Sequence, residues 1–586
     1  MTIPEHQRSA SVLTIGPYLA RTRVAYFSME IALHPEIHTY SGGLGVLAGD
    51  TARTSADLSL PMVFVTLLCR HGYLHQEIDA EGRQVDHPDP WSPEDHATPL
   101  RVKVALLIEG REVWVRPWLY LLKSPAGGSA PVLLLDTDLP ENQAEDRHIT
   151  SALYGGDHVY RLKQEIVLGI GGLRILGALG FQIASYHLNE GHAALLALDL
   201  LRRYPRPPDQ VSPGQLRYDV AQVRERCIFT THTPVDAGHD RFSYELFGHL
   251  LQGFVELDQL RQLAGSDRLN MTRLALSLSG YINGVAVKHA EVATRMFPDY
   301  RIRAVTNGIH VPTWAHPAFS ELFNRHSKDW GYLPMNMLRF DQLPPDDVWR
   351  AHVSAKADLI ALTRRITGVS LDPELPILGF ARRVATYKRP GLLFSDLERL
   401  AAIHAGRPFQ LVFAGKAHPH DAPAKELIRD IHQVIAKLAP TLNIAFLPNY
   451  DLGIAPIVIA GADVWLNTPE PPLEASGTSG MKAAINGVLN LSVLDGWWIE
   501  ACIEGVTGWS IDDDGKGSHF ANAAHLYEKL EHTVLPLYYE QRERWIWMMM
   551  QSISKIGSTF NSHRMMLRYI AEAYLPRHGV QTNPHV

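Results

Sequence analysis

Short apolar runs with strand character recur along the whole chain, each ahead of a segment with helical pattern. MVFVTLL, FQIASYHL and CIFTTHT occupy the first half, and PILGFARR, QLVFAGK, NIAFLPN, ADVWLNT and VLNLSVLDG the second. Alternation of such runs with longer amphipathic stretches, APAKELIRDIHQVIAKLA among them, is the pattern of parallel α/β layers. Two layers are expected, because 586 residues exceed the size at which one hydrophobic core keeps growing. Between residues 283 and 317 the helical pattern gives way to a Gly/Pro-punctuated connection, and the hinge is placed there. From Glu540 onward apolar residues recur at helical spacing, so the chain is expected to end in helices, with the methionines of RWIWMMMQS filling core.

Hydrophobic residues at 46% and charged residues at 20% place the chain among ordinary globular proteins. A formal charge of -7 over this length gives no field of one sign and no footprint for nucleic acid, so an anionic ligand needs a local pocket. Cys69, Cys227 and Cys502 are widely separated and form no C-x-x-C pair. That argues against a disulfide framework or a cysteine-rich zinc site and fits a reducing cytosol. The first thirty residues hold Glu5, several arginines and no sustained apolar run, so neither a signal peptide nor a membrane anchor is expected. The longest weakly polar run, IVLGIGGLRILGALGFQIA at 166–184, carries Arg174 and is rich in glycine. It reads as a buried helix followed by a strand rather than a membrane span. DHPDPWSPEDHATP reads as a polar, proline-rich loop with solvated histidines.

Parallel α/β sheets bind ligands outside the carboxyl ends of their strands, so residues that follow the strand-like runs are the candidates. After VWLNTPEPPL comes EASGTSGMKAAINGV, residues 474–488, in which Glu474 precedes Ser476, Gly477, Thr478, Ser479 and Gly480 before Lys482. Free amides in such a turn suit a phosphate; a plain capping turn, with Thr478 or Ser479 as cap and Lys482 exposed, fits the spacing equally well. Alanine after Lys482 departs from G-x-x-x-x-G-K-[ST] and disfavours a nucleotide-triphosphate cradle. ARRVATYKRPG places Arg382, Arg383, Lys388 and Arg389 close together, either to hold a phosphate or as a solvated helix start. TYSGGLGVLAGD offers Gly42, Gly43 and Gly45 for close backbone approach, without the strand or spacing of a dinucleotide fingerprint. HLNEGHAAL and FTTHTPVDAGHD bring Asn189, Glu190, His192, His232 and Asp236 behind strand-like runs. They match no standard zinc spacing and suit hydrogen bonding to sugar hydroxyls.

Taken in order, AYFSMEIAL, SGGLGVLAGD, RLKQEIVLG, LNEGHAALL, THTPVDAG, INGVAVKHAE, VTNGIHVPTWA, RRVATYKRP, FAGKAHP, LPNYDLGIA, EASGTSGMKAAINGVLNLSVLDGWWIE and RWIWMMMQS resemble the α-glucan phosphorylases. These are the glycogen, starch and maltodextrin phosphorylases, and the shorter chain is similar to their compact prokaryotic branch, which lacks most of the amino-terminal regulatory extension. The resemblance implies a GT-B architecture of two Rossmann-like domains with an interdomain active-site cleft. One domain, on the glucan side, is expected at 1–310 and a second, holding cofactor and phosphate, at 311–555; a C-terminal helical segment at 556–586 packs back on the first. It further implies a cytoplasmic hexosyltransferase with pyridoxal 5'-phosphate joined to Lys482 as a Schiff base. The substrates are an α-1,4-glucan (glycogen, starch or maltodextrin) and inorganic phosphate, or glucose 1-phosphate in reverse. No metal, nucleic acid or membrane partner is implied, and a homodimer is suggested by the family only.

Carried over at matching positions, Arg383 and Lys388 bind substrate phosphate, while Gly43, Thr478, Ser479 and Gly480 surround the cofactor phosphate with Arg382 assisting. Glu474, Ser476 and Gly477 bond the glucosyl hydroxyls; His232 and Asn283 contact that sugar from the first domain, the His232 carbonyl facing the anomeric carbon. The implied reaction is retaining phosphorolysis at the non-reducing end, with the cofactor phosphate as proton relay and no carboxylate nucleophile. The chain departs from the long enzymes at Arg382 (lysine there), Asp451 (arginine), Ala385 (histidine) and GWWIE (smaller residues). Asp451 is expected to point away from phosphate or to bind sugar, and acceptor preference stays open. Two rivals remain: a nucleotide-sugar glucosyltransferase, which has no use for a pyridoxal lysine, and a catalytically silent glucan-binding relative.

Overall fold

A computed structural model describes residues 11–439, 441–512 and 518–575. The start of the region read for a leader, Glu5 included, and the end of the C-terminal segment, 576–586, lie outside the described residues.

The parallel part of the first sheet runs, in spatial order, Arg303–Ala304, Tyr281–Gly284, Cys227–Thr230, Ser185–Asn189, Val24–Ser28, Met62–Leu67 and Ser129–Asp136. Arg111–Lys123 extends that edge antiparallel. The second sheet is parallel throughout: Ile444–Leu447, Gln410–Ala414, Ile377–Ala381, Val464–Asn467, Leu489–Ser492 and Gly508–Ser510. Numbered along the chain, the second sheet has the order 3-2-1-4-5-6, the doubly wound order in which winding reverses beside the first strand and leaves a crevice at its carboxyl end. The first sheet reverses in the same way at Val24–Ser28. Every residue of Val24–Ser28, Met62–Leu67, Ile377–Ala381, Gln410–Ala414 and Val464–Asn467 is buried. Helices cover both faces of such strands, so their sequences are continuously apolar instead of alternating.

The stretch expected as buried helix then strand forms a helix from His158–Ile166 through a π turn at Val167–Gly171 into Gly172–Leu179, and the strand begins at Ser185. Its glycines allow close packing on the sheet: a Cβ at Gly172 would sit 2.6 Å from the Phe27 ring. The basic stretch 381–391 is not a helix start; a single 3-10 turn, Thr386–Lys388, follows the strand.

The chain leaves the first core at Val305, enters the second at Ile309, and returns between Phe560 and Met565. The two crossings touch: Ile309 N donates to Phe560 O at 3.2 Å and Ser562 N to Ile309 O at 2.8 Å. Helix Arg542–Thr559 stays with the second core, its methionines buried there. Asn561 then caps Ser562–Tyr569 through the Arg564 amide, and Met565, Met566 and Tyr569 pack with Tyr26 and Phe64 of the first sheet. The return thus occurs at 560–561. No helix among the described residues is long and apolar enough to cross a membrane.

Candidate active site

The carboxyl ends of both sheets open on one cleft of about 1080 Å³. Gly43, His232 and Asn307 line it from the first half; Arg382, Arg383, Lys388, residues 474–479 and Lys482 line it from the second.

The 474–479 loop is held from beneath. Asp495, 1% exposed, accepts the Glu474 amide at 2.9 Å and the Gly496 amide at 2.8 Å, while Trp497 N donates to Ser476 O at 2.9 Å. Gly477 takes φ +90°, a left-handed conformation that glycine adopts without strain. Buried Glu474 receives Lys388 Nζ at 2.7 and 2.8 Å and Arg382 Nη2 at 2.6 Å. Burial pushes its carboxyl up, but the Arg382 and Lys388 charges outweigh that and bring it down to about 2. Arg382 also bonds Asn467. Arg383 faces open solvent in the cleft, whereas Arg389 is turned away onto Thr468 O, Pro469 O and Asn522.

A plain capping turn is overturned: Thr478 makes no side-chain cap, and Ser479 Oγ instead accepts the Trp465 indole N–H at 3.1 Å. Ser476 Oγ is buried without a partner among the described residues. Gly480 lies inside the short helix Ser479–Ala484 and does not line the cleft; a Cβ there would sit 2.8 Å from the Trp497 ring, so its place is one of packing. Lys482, expected exposed in the capping reading, is 6% exposed. Its Nζ lies 3.7 Å from the Trp314 ring centroid and makes no hydrogen bond or ion pair among the described residues. Burial lowers its pKa to about 8, against the opposing field of Asp50.

On the other wall, Glu30 accepts the amides of Ser41 at 2.6 Å and Gly42 at 3.0 Å and the Tyr154 hydroxyl at 2.8 Å, fixing the glycine turn that opens helix Gly43–Asp57. A Cβ on Gly42 or Gly43 meets nothing within 4 Å, so the backbone borders free space. His232 Nε2 bonds Asn189 Oδ1 at 2.6 Å, and its amide donates to Glu190 at 2.7 Å. Burial holds the imidazole far below its ordinary pKa, hence neutral. Glu190 also accepts from the Thr233 hydroxyl and takes φ 72°, strain tolerated where it orients the His232 turn. Asp236 is exposed and pairs with Arg241 outside the cleft lining.

Asn283 was expected to contact the sugar. It is 0% exposed, absent from the cleft wall, and fully engaged with Thr230, Gly284 O and the Tyr569 hydroxyl at 2.9, 3.1 and 3.0 Å. Among the described residues, the asparagine that lines the cleft is Asn307, whose buried Oδ1 has no partner there. It too follows a strand, Arg303–Ala304, but two residues leave no apolar run to flag it.

Asp451 lines the cleft and spends Oδ1 on the Gly453 and Ile454 amides at 2.8 and 3.1 Å, in the turn that precedes helix Ala455–Gly461. Trp497 and Trp498 of GWWIE are 1% and 0% exposed and belong to the core, so neither touches an acceptor. An unpaired buried amine, an open glycine wall, three cations and the orphaned Ser476 Oγ together fit a lysine-linked, phosphorylated group with a sugar beside it.

A family profile described as carbohydrate phosphorylase matches residues 253–507. The chain is 38% identical to the maltodextrin phosphorylase of Thermococcus litoralis, over 94% of this chain and 70% of that protein. It is 36% identical to a Mycobacterium tuberculosis glycogen phosphorylase (95% and 71% covered) and 34% identical to the glycogen phosphorylase of Aquifex aeolicus (94% and 86%).

Proposed function

The chain belongs to the carbohydrate phosphorylase family, and on that premise we propose that its cleft removes the non-reducing-end glucosyl unit of an α-1,4-glucan with inorganic phosphate, giving α-D-glucose 1-phosphate with retained configuration. The chain is a glycosyltransferase of the glycogen/maltodextrin phosphorylase type. The observation that carries the proposal is Lys482, a buried amine with no acceptor, set in the wall that presents Arg382, Arg383 and Lys388. Burial prepares a lysine to give up its proton near neutral pH, the state needed to condense with a carbonyl.

We assign Lys482 as the residue that holds pyridoxal 5'-phosphate, with Gly43, Thr478, Ser479 and Arg382 around its phosphate. When bound, the cofactor supplies a second phosphate able to exchange a proton with the substrate phosphate. The chain's own residues do the remainder. Arg383 and Lys388 bind inorganic phosphate, which draws Lys388 away from Glu474. The freed Glu474 carboxylate, with Ser476, Gly477 and Asn307, then accepts and donates hydrogen bonds to the glucosyl hydroxyls. The phosphate gives its proton to the glycosidic oxygen as the C1–O bond breaks; one of its oxygens bonds C1 on the same face, and the shortened glucan leaves with a new hydroxyl. Neutral His232, held by Asn189, offers its main-chain carbonyl to the positive charge developing at C1. Closure of the cleft excludes water, which would otherwise capture the same carbon. The silent-relative reading rests on the departures at Asp451 and Ala385; the Asp451 carboxylate accepts the Gly453 and Ile454 amides.

An absorbance spectrum before and after borohydride reduction tests the assignment. A pyridoxal band made permanent by reduction and lost in Lys482→Ala is expected, together with phosphate-dependent release of glucose 1-phosphate from maltoheptaose. A chain that takes up no pyridoxal phosphate, or releases glucose 1-phosphate equally well as Lys482→Ala, overturns it.

A further inference from the structure

Helix Gly43–Asp57 turns Asp50, 1% exposed, toward the wall that carries Lys482. Both Asp50 oxygens are spent on the Trp314 indole N–H, at 2.9 and 3.2 Å, and Arg53 Nη1 lies 3.5 Å away. Arg53 is itself anchored to Leu33 O at 2.8 Å, so this pair is not free to swing. Trp314, 3% exposed, lays its ring against the Lys482 nitrogen, 3.7 Å from the centroid. Asp50 and Arg53 are the charged groups whose fields reach Lys482. From the Trp314 segment, His310 is turned instead to Asp57 at 2.8 Å, and Lys482 is the sole ionisable side chain of its own helix.

We propose that Asp50 is a positioning residue for Lys482: by holding the Trp314 indole it presents an aromatic face, and not a carboxylate, to the lysine nitrogen. The inference rests on Lys482 being the cofactor-bearing residue. A direct ion pair would also anchor the lysine, but it would stabilise the ammonium, which has no lone pair to offer a carbonyl. A ring face attracts the ammonium less strongly than a carboxylate does and offers the neutral amine no hydrogen-bond donor, so the lone pair stays available to a carbonyl. The negative charge of Asp50, one ring away, tempers the effect of burial and keeps the amine in place until a cofactor arrives.

Two variants separate the parts. Asp50→Asn keeps an oxygen for the indole N–H and removes the charge; Trp314→Phe keeps the ring, removes the N–H and releases Asp50. The readout is the pH midpoint for acylation of Lys482 by acetic anhydride in the full-length, cofactor-free chain, followed by peptide mass. The Asp50→Asn midpoint is expected to fall by about one pH unit, the scale of one charge acting through a partly screened interior. The Trp314→Phe midpoint is expected to rise, because the Asp50 charge, no longer compensated by the indole N–H, acts more strongly on the ammonium. Midpoints equal to that of the unaltered chain in both variants overturn the proposal, and a variant that does not fold leaves the other to decide. Borohydride fixation of pyridoxal phosphate at Lys482 in the unaltered chain is measured alongside. Its absence overturns the cofactor reading and this inference with it; fixation with unmoved midpoints overturns the role of Asp50 alone.

Discussion

Lys482 places function and stability in opposition. Its pKa in the folded chain is about 8 against 10.5 for a free lysine, so between those values the unfolded chain binds more protons than the folded one. Stability therefore rises with pH through that window, and at pH 7 the buried charge costs about 3 kcal/mol. Lys482→Met is expected to raise the denaturant midpoint of the cofactor-free protein at pH 7, to lose most of that gain by pH 10, and to abolish phosphorolysis; an unchanged midpoint at pH 7 would show that Trp314 fully offsets burial. Such residues are legible in the sequence when their partners are contiguous: the E-A-S-G-T-x-x-M-K element carries Glu474, Ser476 and Lys482 in one run. Partners brought by the fold are not. Asp50 and Trp314 are far apart in the chain, and the Asn283 side chain is bound by Tyr569 on a helix that returns only at the C-terminus.

At the scale of elements, the apolar runs were readable as strands because parallel strands are buried on both faces, and both sheets wind as two layers of that kind. Their ends were not readable: FQIASYHL becomes strand only at Ser185, where the chain has already turned on the carbonyl of Arg23. GWWIE shows the same limit for loops. Read as a change in the acceptor region, it proves to be the support of the 474–479 loop, with Trp497 packed under Gly477 and Gly480 and against Phe560. Gly496 is the tightest joint of that support. It has φ +53°, and a Cβ would lie 2.5 Å from Ser476 O. Gly496→Ala must therefore either strain the turn or push the 474–479 loop into the cleft, a destabilisation of about 1–3 kcal/mol. The expected outcome is a fall in kcat/KM of about 100-fold, since displacements of 1 Å at a reacting centre have that effect, with native circular dichroism retained. Activity close to that of the unaltered chain would show that the loop is fixed by Asp495 without help from the glycine.

Across the whole molecule, the two halves are joined beyond the paired crossings by a hairpin, His75–Ile78 and Gln84–His87, that reaches from the first half onto the second. Gln76 Nε2 donates to Gly415 O at 2.9 Å, its amide N–H donates to Asn449 Oδ1 at 3.1 Å and its Oε1 accepts the Asn449 amide at 2.8 Å; Gln84 bonds both the carbonyl and the amide of Ala417 at 2.9 Å. These glutamines are 1% and 7% exposed, and Lys416 between their targets ties back to Leu74 O at 2.8 Å while lining the cleft. The hairpin thus grips the segment leaving strand Gln410–Ala414, beside the arginines that follow Ile377–Ala381. Replacing both glutamines with leucine leaves buried peptide groups unpaired at about 1–3 kcal/mol each, which the chain relieves by letting the segment part from the hairpin and admit water. Water competes with phosphate for the same anomeric carbon, so the rate and the product ratio must change together. In Gln76→Leu/Gln84→Leu, phosphorolysis of maltoheptaose is expected to slow about 10-fold or more, with free glucose rising relative to glucose 1-phosphate when both are measured in one reaction. A slower rate at an unaltered ratio would make the hairpin a structural tie alone, whereas a changed ratio identifies it as the seal of the cleft.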